Sequence, residues 1–227
     1  MNQLLLAVVA FQTPVTLTKP DRNLAEPFSQ ITSVRELRNG RVVVVDAKEK
    51  LVQIADFTTG TVTTIGRNGS GPGEYAMPVG LVPMPGERTF VYDPMNQRFL
   101  ELGPEGAVRR PVTFASLVGP KSIPMMLMPA ADAQGRLYFE SINPAAMDGA
   151  DSVAVLRWTV GQPQLDTAGF GRPLGLQARS GGRRGRVLGR VTLAPQAAVV
   201  GFGKRTVYVA RKDDDDLMYL EQYRTPN

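Results

Sequence analysis

The feature that most constrains this chain is a grammar of four short β-prone runs that recurs along its length. From Ile31 the first pass reads ITSVREL, RVVVVD, LVQIADF and TVTTIG, with RNG, AKEK and TTG between the runs. RNG is a hairpin signal, and the first and third runs alternate apolar with polar residues as half-buried strands do. RVVVVD is β-branched and apolar on both faces, which suits the interior of a sheet. The second pass is VGLVPM, RTFVYD, RFLEL and AVRRPV, and a weaker third is PMMLMPA, RLYFE, SVAVLRW and QLDTAGF. A fourth, APQAAVV, RTVYVA and LMYLEQY, stops after three runs.

The acids that close the second runs, Asp46, Asp93 and Glu140, are separated by 47 residues twice. A period of about 40–50 residues carrying four strands is the mark of a β-propeller blade. The expected fold is therefore all-β: a β-propeller of four-stranded antiparallel blades, in a partial or truncated ring of about four to five blades, with almost no helix. A β-sandwich with irregular meanders is the alternative. The short fourth pass leaves a sheet edge open, which invites self-association.

Composition narrows the chemistry. The 227 residues include no histidine and no cysteine. Ser-His-Asp and Cys-His catalysis, thiol redox chemistry and structural zinc are excluded within the chain. No cofactor or metal site is expected, and any metal would be a hard cation held by oxygen ligands. A hydrophobic content of 43% suits a packed domain, and a net charge of +5 favours anionic surfaces without dictating a fold.

Leu4 to Phe11 is an apolar run too short to span a bilayer and of the length of a signal-peptide core. The expected organisation is a signal peptide and N-terminal extension over 1–23, then propeller repeats over 24–227, with an inserted loop over 171–190. Periplasmic or secreted localisation follows, with no transmembrane segment. A buried first strand is the competing reading of the apolar run.

Between the first two passes lies IGRNGSGPGEYAMPVGL, which holds Gly69, Gly71, Pro72, Gly73, Glu74 and Tyr75. A phosphate cradle would need a helix start and a G-K-[ST] ending, and YAMPVGL supplies neither. The stretch reads as scaffold: an inter-blade turn in which Gly71 or Gly73 takes a positive φ, Glu74 accepts backbone N–H groups or pairs with Arg67, and Tyr75 anchors the next blade. This segment, together with the hairpin from Asn39 to Asp46, resembles exported bacterial six-bladed β-propeller proteins of the NHL-like type. In them a G-x-G-P-G-E-[FY] segment links blades. The resemblance covers Leu24 to Leu102 and implies an architecture, not a reaction.

The other candidates are weighed against plain structural roles. Gly171 to Arg190 carries Arg172, Arg179, Arg183, Arg184, Arg186 and Arg190 with no acid. Arg183, Arg184 and Arg186 are the candidate anion contacts, and a solvated linker is the simpler reading. The absence of interleaved aromatics argues against nucleic acid. Asp213 to Asp216 falls on a strand-to-strand turn and lacks calcium-loop spacing, although Asp132 or Glu140 nearby could complete a cation site. Asp46, Asp93 and Glu140 could ring a metal as acids do in lactonase-like propellers, but their place at strand ends points to hydrogen bonds from turn N–H groups. Phe99, Trp158 and Met125, Met126 and Met128 read as core. The function expected is a non-enzymatic binding or scaffolding propeller with an unknown protein or small-molecule ligand on its rim loops. The alternatives are a calcium-dependent lactonase or esterase-like hydrolase and a sensor module of a larger receptor.

Overall fold

A computed structural model describes residues 15–17, 19–114, 117, 129–140, 153–171 and 191–225. Four sheets of four antiparallel strands make up the fold, and no α-helix occurs among the described residues. Blade 1 contains β3 (Ile31–Glu36), β4 (Val42–Asp46), β5 (Leu51–Asp56) and β6 (Thr61–Thr64). Blade 2 contains β9 (Gly80–Met84), β10 (Arg88–Asp93), β11 (Arg98–Leu102) and β12 (Val108–Thr113). Blade 3 contains β13 (Ala130–Ala131), β14 (Arg136–Glu140), β15 (Val153–Thr159) and β16 (Asp166–Gly171). Blade 4 contains β18 (Ala197–Phe202), β19 (Thr206–Lys212) and β20 (Met218–Arg224).

The fourth strand of blade 4 comes from the other end of the chain. Arg22–Asn23 (β2) pairs antiparallel with β20 through Arg22–Gln222 and Asn23–Glu221. A bridge between Phe28 and Met218 continues the pairing. The edge expected to stand open is therefore covered, because the residues before the first repeat are close enough to complete the last one. Val15–Thr16 (β1) also pairs, in parallel, with Val191–Thr192 (β17). The two remaining short strands, Arg67–Asn68 (β7) and Glu74–Tyr75 (β8), lie between blades 1 and 2.

Three apolar cores join the blades. The first lies between blades 4 and 1 and includes Val34, Val42, Val44, Tyr208, Ala210 and Leu220. The second joins blades 1 and 2 through Val43, Val45, Ile54, Tyr75, Val91 and Leu100. The third joins blades 2 and 3 and is aromatic: Phe99 packs against Phe90, Tyr92 and Phe114 at 5.4 Å and Trp158 at 6.3 Å between ring centroids. Phe99 and Trp158 thus lie between blades as expected; Met125, Met126 and Met128 lie outside the described residues. No apolar core joins blades 3 and 4 among the described residues. The array is a partial ring with order 4–1–2–3.

Strand phase explains which residues reach these cores. The carbonyls of Arg41, Tyr92 and Arg136 all accept from the first-strand side of their blade, from the N–H groups of Leu37, Val79 and Asp132. Alternate residues of a strand face opposite ways. Val43 and Val45, Phe90 and Tyr92, and Arg136, Tyr138 and Glu140 therefore share one orientation, toward the following blade. Asp46 and Asp93 face the preceding blade, and Glu140 does not. The second 47-residue interval is one residue out of structural phase, and a one-residue offset reverses the face. Leu137 and Phe139 occupy the face toward blade 2 instead.

Candidate functional site

The link between blades 1 and 2 is tied together by side-chain hydrogen bonds from Arg67, Glu74, Tyr75, Asn96 and Arg98. Glu74 turns back over the glycines: its Oε2 accepts the Gly71 N–H at 2.7 Å and its Oε1 takes the Arg67 Nε at 2.6 Å. These donors hold the Glu74 carboxyl below its usual range, the Gly71 N–H first. The Arg98 guanidinium donates to the carbonyls of Ser70 and Gly71 at 2.9 Å and of Glu74 at 2.7 Å. The Asn96 amide donates to the Gly69 carbonyl. The buried Tyr75 hydroxyl donates to the Ile65 carbonyl and accepts the Val52 N–H. Arg98 was not singled out from sequence; a cation one strand away from a loop of carbonyls leaves no local pattern.

The positive φ angles are not where the sequence suggested. Gly66 (φ 68°) and Gly69 (φ 149°) adopt them, and Gly71 and Gly73 do not. A Cβ on Gly66 would lie 2.7 Å from the Gly73 carbonyl oxygen, so this glycine lets the two ends of the loop meet. A Cβ on Gly71 would lie 2.9 Å from the Glu74 carboxylate oxygen that its N–H binds, a contact that a small shift of that flexible side chain relieves.

The blade acids act on their own backbone. Asp46 accepts the N–H groups of Ser29 and Gln30 at 2.7 and 3.0 Å, and that of Glu49 at 3.2 Å. Asp93 accepts those of Ala76 and Met77 at 3.1 and 3.0 Å, and the Asn96 amide at 2.7 Å. In both cases the donors lie 17 and 16 residues earlier in the chain. Each carboxylate thus fastens the chain entering a blade to that blade's second strand. Asp213 likewise accepts from Asp215 and Leu217 within the β19–β20 turn, and Lys212 pairs with Asp216 at 2.6 Å. No group of three or more acidic side chains able to hold a metal ion occurs among the described residues.

The face of blade 3 turned away from blade 2 carries polar pairs, and the face of blade 4 turned away from blade 1 combines polar pairs with a small apolar cluster of Val207, Val209 and Tyr223 packed by Leu17, Leu193 and Ala197. On blade 3, Asp132 takes the Arg136 Nε at 2.6 Å and the Tyr138 hydroxyl at 3.0 Å. Bonds from the Arg136 backbone and side chain and from Tyr138 outweigh desolvation and bring its carboxyl down to about 2. Arg157 pairs with Asp166 at 3.2 Å. At the edge of this blade Thr159, Gln162, Gln164 and Asp166 line a polar hollow of about 340 Å³. On blade 4, Glu221 takes the Arg211 Nε at 2.6 Å and the Tyr223 hydroxyl at 2.8 Å. Burial first, then Glu221, pushes the Tyr223 phenol up to about 12. Arg183, Arg184 and Arg186 lie outside the described residues, as does the Leu4 to Phe11 run.

No protein-family profile matches the chain, and neither does any curated protein sequence. Solved structures similar to it are β-propeller proteins. A virginiamycin B lyase from Staphylococcus aureus is 10% identical, with a TM-score of 0.40 over 87% of this chain and 67% of that one. A gluconolactonase from Xanthomonas campestris is 12% identical, with a TM-score of 0.45 over 96% and 90%. A chain of the nidogen–laminin complex is 16% identical, with a TM-score of 0.43 over 86% and 80%. The chain spans 58% of a second virginiamycin B lyase structure. No helix among the described residues is long and apolar enough to cross a membrane.

Proposed function

We propose that this protein is a non-enzymatic binding or scaffolding β-propeller of the exported NHL-like kind. Partner contacts fall on the rim loops. The observation that carries this reading is the use made of the carboxylates. Asp46 and Asp93, two of the three blade acids weighed for a metal ring, and Asp213 of the acidic run hold backbone N–H groups of their own blades. A propeller fold hosts many unrelated activities, so the use of individual side chains has to decide.

Calcium titration followed by thermal melting is the test. An unchanged Tm together with no hydrolysis of simple lactones is expected. A saturable rise in Tm accompanied by lactone hydrolysis would favour the metal-dependent hydrolase instead.

Export is supported by the signal-core length of Leu4 to Phe11. The β1 and β2 strands lie downstream of that run and take part in blade 4 pairing. Processing upstream of Val15 therefore leaves the closing strand in place. N-terminal sequencing of protein recovered from the periplasm or medium should begin before Val15, and a cytoplasmic product retaining Met1 would contradict export.

A further inference from the structure

We propose that the outer edge of blade 1 is a self-association surface, on which β6 pairs antiparallel with β6 of a second copy of this chain. Each blade ends in an outer strand: β6, β12, β16 and the closing β2. Open edges recruit other strands, and proteins blunt them with charge, proline, bulges or short length. β12 holds Arg109, Arg110 and Pro111, and its pairing shifts register between Glu101 and Leu102. β16 pairs with β15 across a register shift between Val155 and Leu156. β2 is two residues long and begins with Arg22. β6 carries none of these devices. Its sequence, TVTT, is uncharged, free of proline and β-branched throughout, and it pairs with β5 in unbroken register.

The backbone groups free at this edge follow from the ladder. The Ile65 N–H donates to the Val52 carbonyl at 2.8 Å, so Ile65 bonds toward β5. Alternate residues of an antiparallel strand bond to opposite sides. Thr61 and Thr63 therefore bond inward, and the N–H and C=O groups of Val62 and Thr64 point outward. No strand lies beyond β6 among the described residues. These groups match their own copy. With a two-fold axis through Thr63, Val62 exchanges both backbone bonds with Thr64 of the second copy, and Thr64 does so with its Val62. Thr63 then faces Thr63 of the second copy in the closer pair, where hydroxyls are favourable and like charges are not. The Thr63 and Thr64 side chains are exposed, so no part of the blade has to move. The pairing stops at Gly60 and Gly66, which flank Thr63 symmetrically and turn to φ of 73° and 68°. Those symmetric limits and the absence of charge favour a second copy over a foreign extended peptide. The inference goes beyond the binding-module reading and does not depend on it.

Sedimentation equilibrium of the full chain, from about 1 μM to about 1 mM, should show a reversible monomer–dimer equilibrium. Thr63→Lys sets like charges opposite each other on the axis and should weaken dimerisation by about tenfold or more, and Thr63→Glu should do the same. Mixing these two variants should restore the dimer, because opposite charges then meet across the axis. Thr64→Pro removes an N–H that β5 does not use, so it should leave the Tm nearly unchanged and abolish the dimer. If Thr64→Pro fails to fold, the mixing experiment decides. A chain that stays monomeric over the whole range would overturn the proposal and leave the edge to a foreign peptide. So would a dimer that Thr63→Lys leaves intact, or a mixture of the Thr63→Lys and Thr63→Glu variants that associates no more than either alone.

Discussion

The Glu36 carboxylate of blade 1 accepts the Tyr208 hydroxyl of blade 4 at 2.6 Å, joining residues 172 positions apart. The same carboxylate takes the Thr206 hydroxyl, and the Gln222 amide donates to the Tyr208 oxygen at 3.0 Å. This small polar network lies beside the apolar core between the last blade and the first. Tyr208→Phe removes the hydroxyl without opening a cavity and should destabilise the fold by about 1–3 kcal/mol, the scale for a bond to a charged group. Chemical denaturation measures it. An unchanged midpoint would deny the network any part in holding the seam.

The tyrosines also set an alkaline limit. Burial pushes Tyr92 and Tyr208 up to about 12, with Glu36 adding to the shift at Tyr208, and Tyr223 reaches about 12 as well. A phenol whose folded pKa is raised stabilises the fold fully below its unfolded pKa of about 10. Above that pH the unfolded chain releases protons that the folded chain retains, so stability is lost as pH rises from about 10 to about 12. Melting temperature should fall over that window. Phenolate absorbance should show at least two classes of tyrosine, and a single class titrating near 10 would contradict the burial of these rings.

Asp46 and Asp93 perform the same task in successive blades, and their loss should be felt alike. Asp93→Ala leaves the Ala76 and Met77 N–H groups and the Asn96 amide without their acceptor. Asp46→Ala does the same to Ser29, Gln30 and Glu49. Each variant should lose about 2–4 kcal/mol, since a charged acceptor contributes about 1.5–3 kcal/mol and orphaned donors add a desolvation cost. Urea titration of the two variants would expose a difference in role if only one proved sensitive.

Much of the blade architecture was legible in the sequence because strand periodicity and turn residues are local signals. The runs ITSVREL, RVVVVD, LVQIADF and TVTTIG became β3 to β6 with shifts of a residue or two. The closing strand was not legible: Arg22–Asn23 is two residues long, polar and exposed, so its pairing with β20 leaves no pattern in the chain. The third blade misled in another way. Glu140 ends its strand at the expected interval from Asp93, yet counting residues cannot reveal that β14 is one residue out of phase. The contacts of Leu137 and Phe139 with the blade 2 aromatics do reveal it.

The glycine-rich link gives a graded expectation. Gly66 and Gly60 both have positive φ, at 68° and 73°. Around Gly60 nothing lies within 4 Å of an added Cβ, while at Gly66 the Gly73 carbonyl and the Tyr75 ring stand in the way. Gly60→Ala should cost about 1–2 kcal/mol from the left-handed backbone alone. Gly66→Ala should cost more, because backbone must also shift. Equal melting temperatures for the two variants would mean that the loop ends do not approach as closely as 2.7 Å.

Closure of blade 4 by the N-terminal strand is the relationship on which the architecture rests, and amide hydrogen exchange at β20 tests it most directly. The carbonyls of Leu220 and Gln222 accept the N–H groups of Leu24 and Asp21, and the Met218 N–H donates to Phe28 at 2.7 Å. In the full chain the Met218 amide of β20 and the Asp21, Leu24 and Phe28 amides of the closing segment should exchange as slowly as those of β11, an interior strand of blade 2. Deleting residues 15–28 should accelerate the Met218 amide far more than those of β11. Fast exchange at Met218 in the intact protein, unchanged by that deletion, would show β20 to be an open edge and would contradict the closure of blade 4.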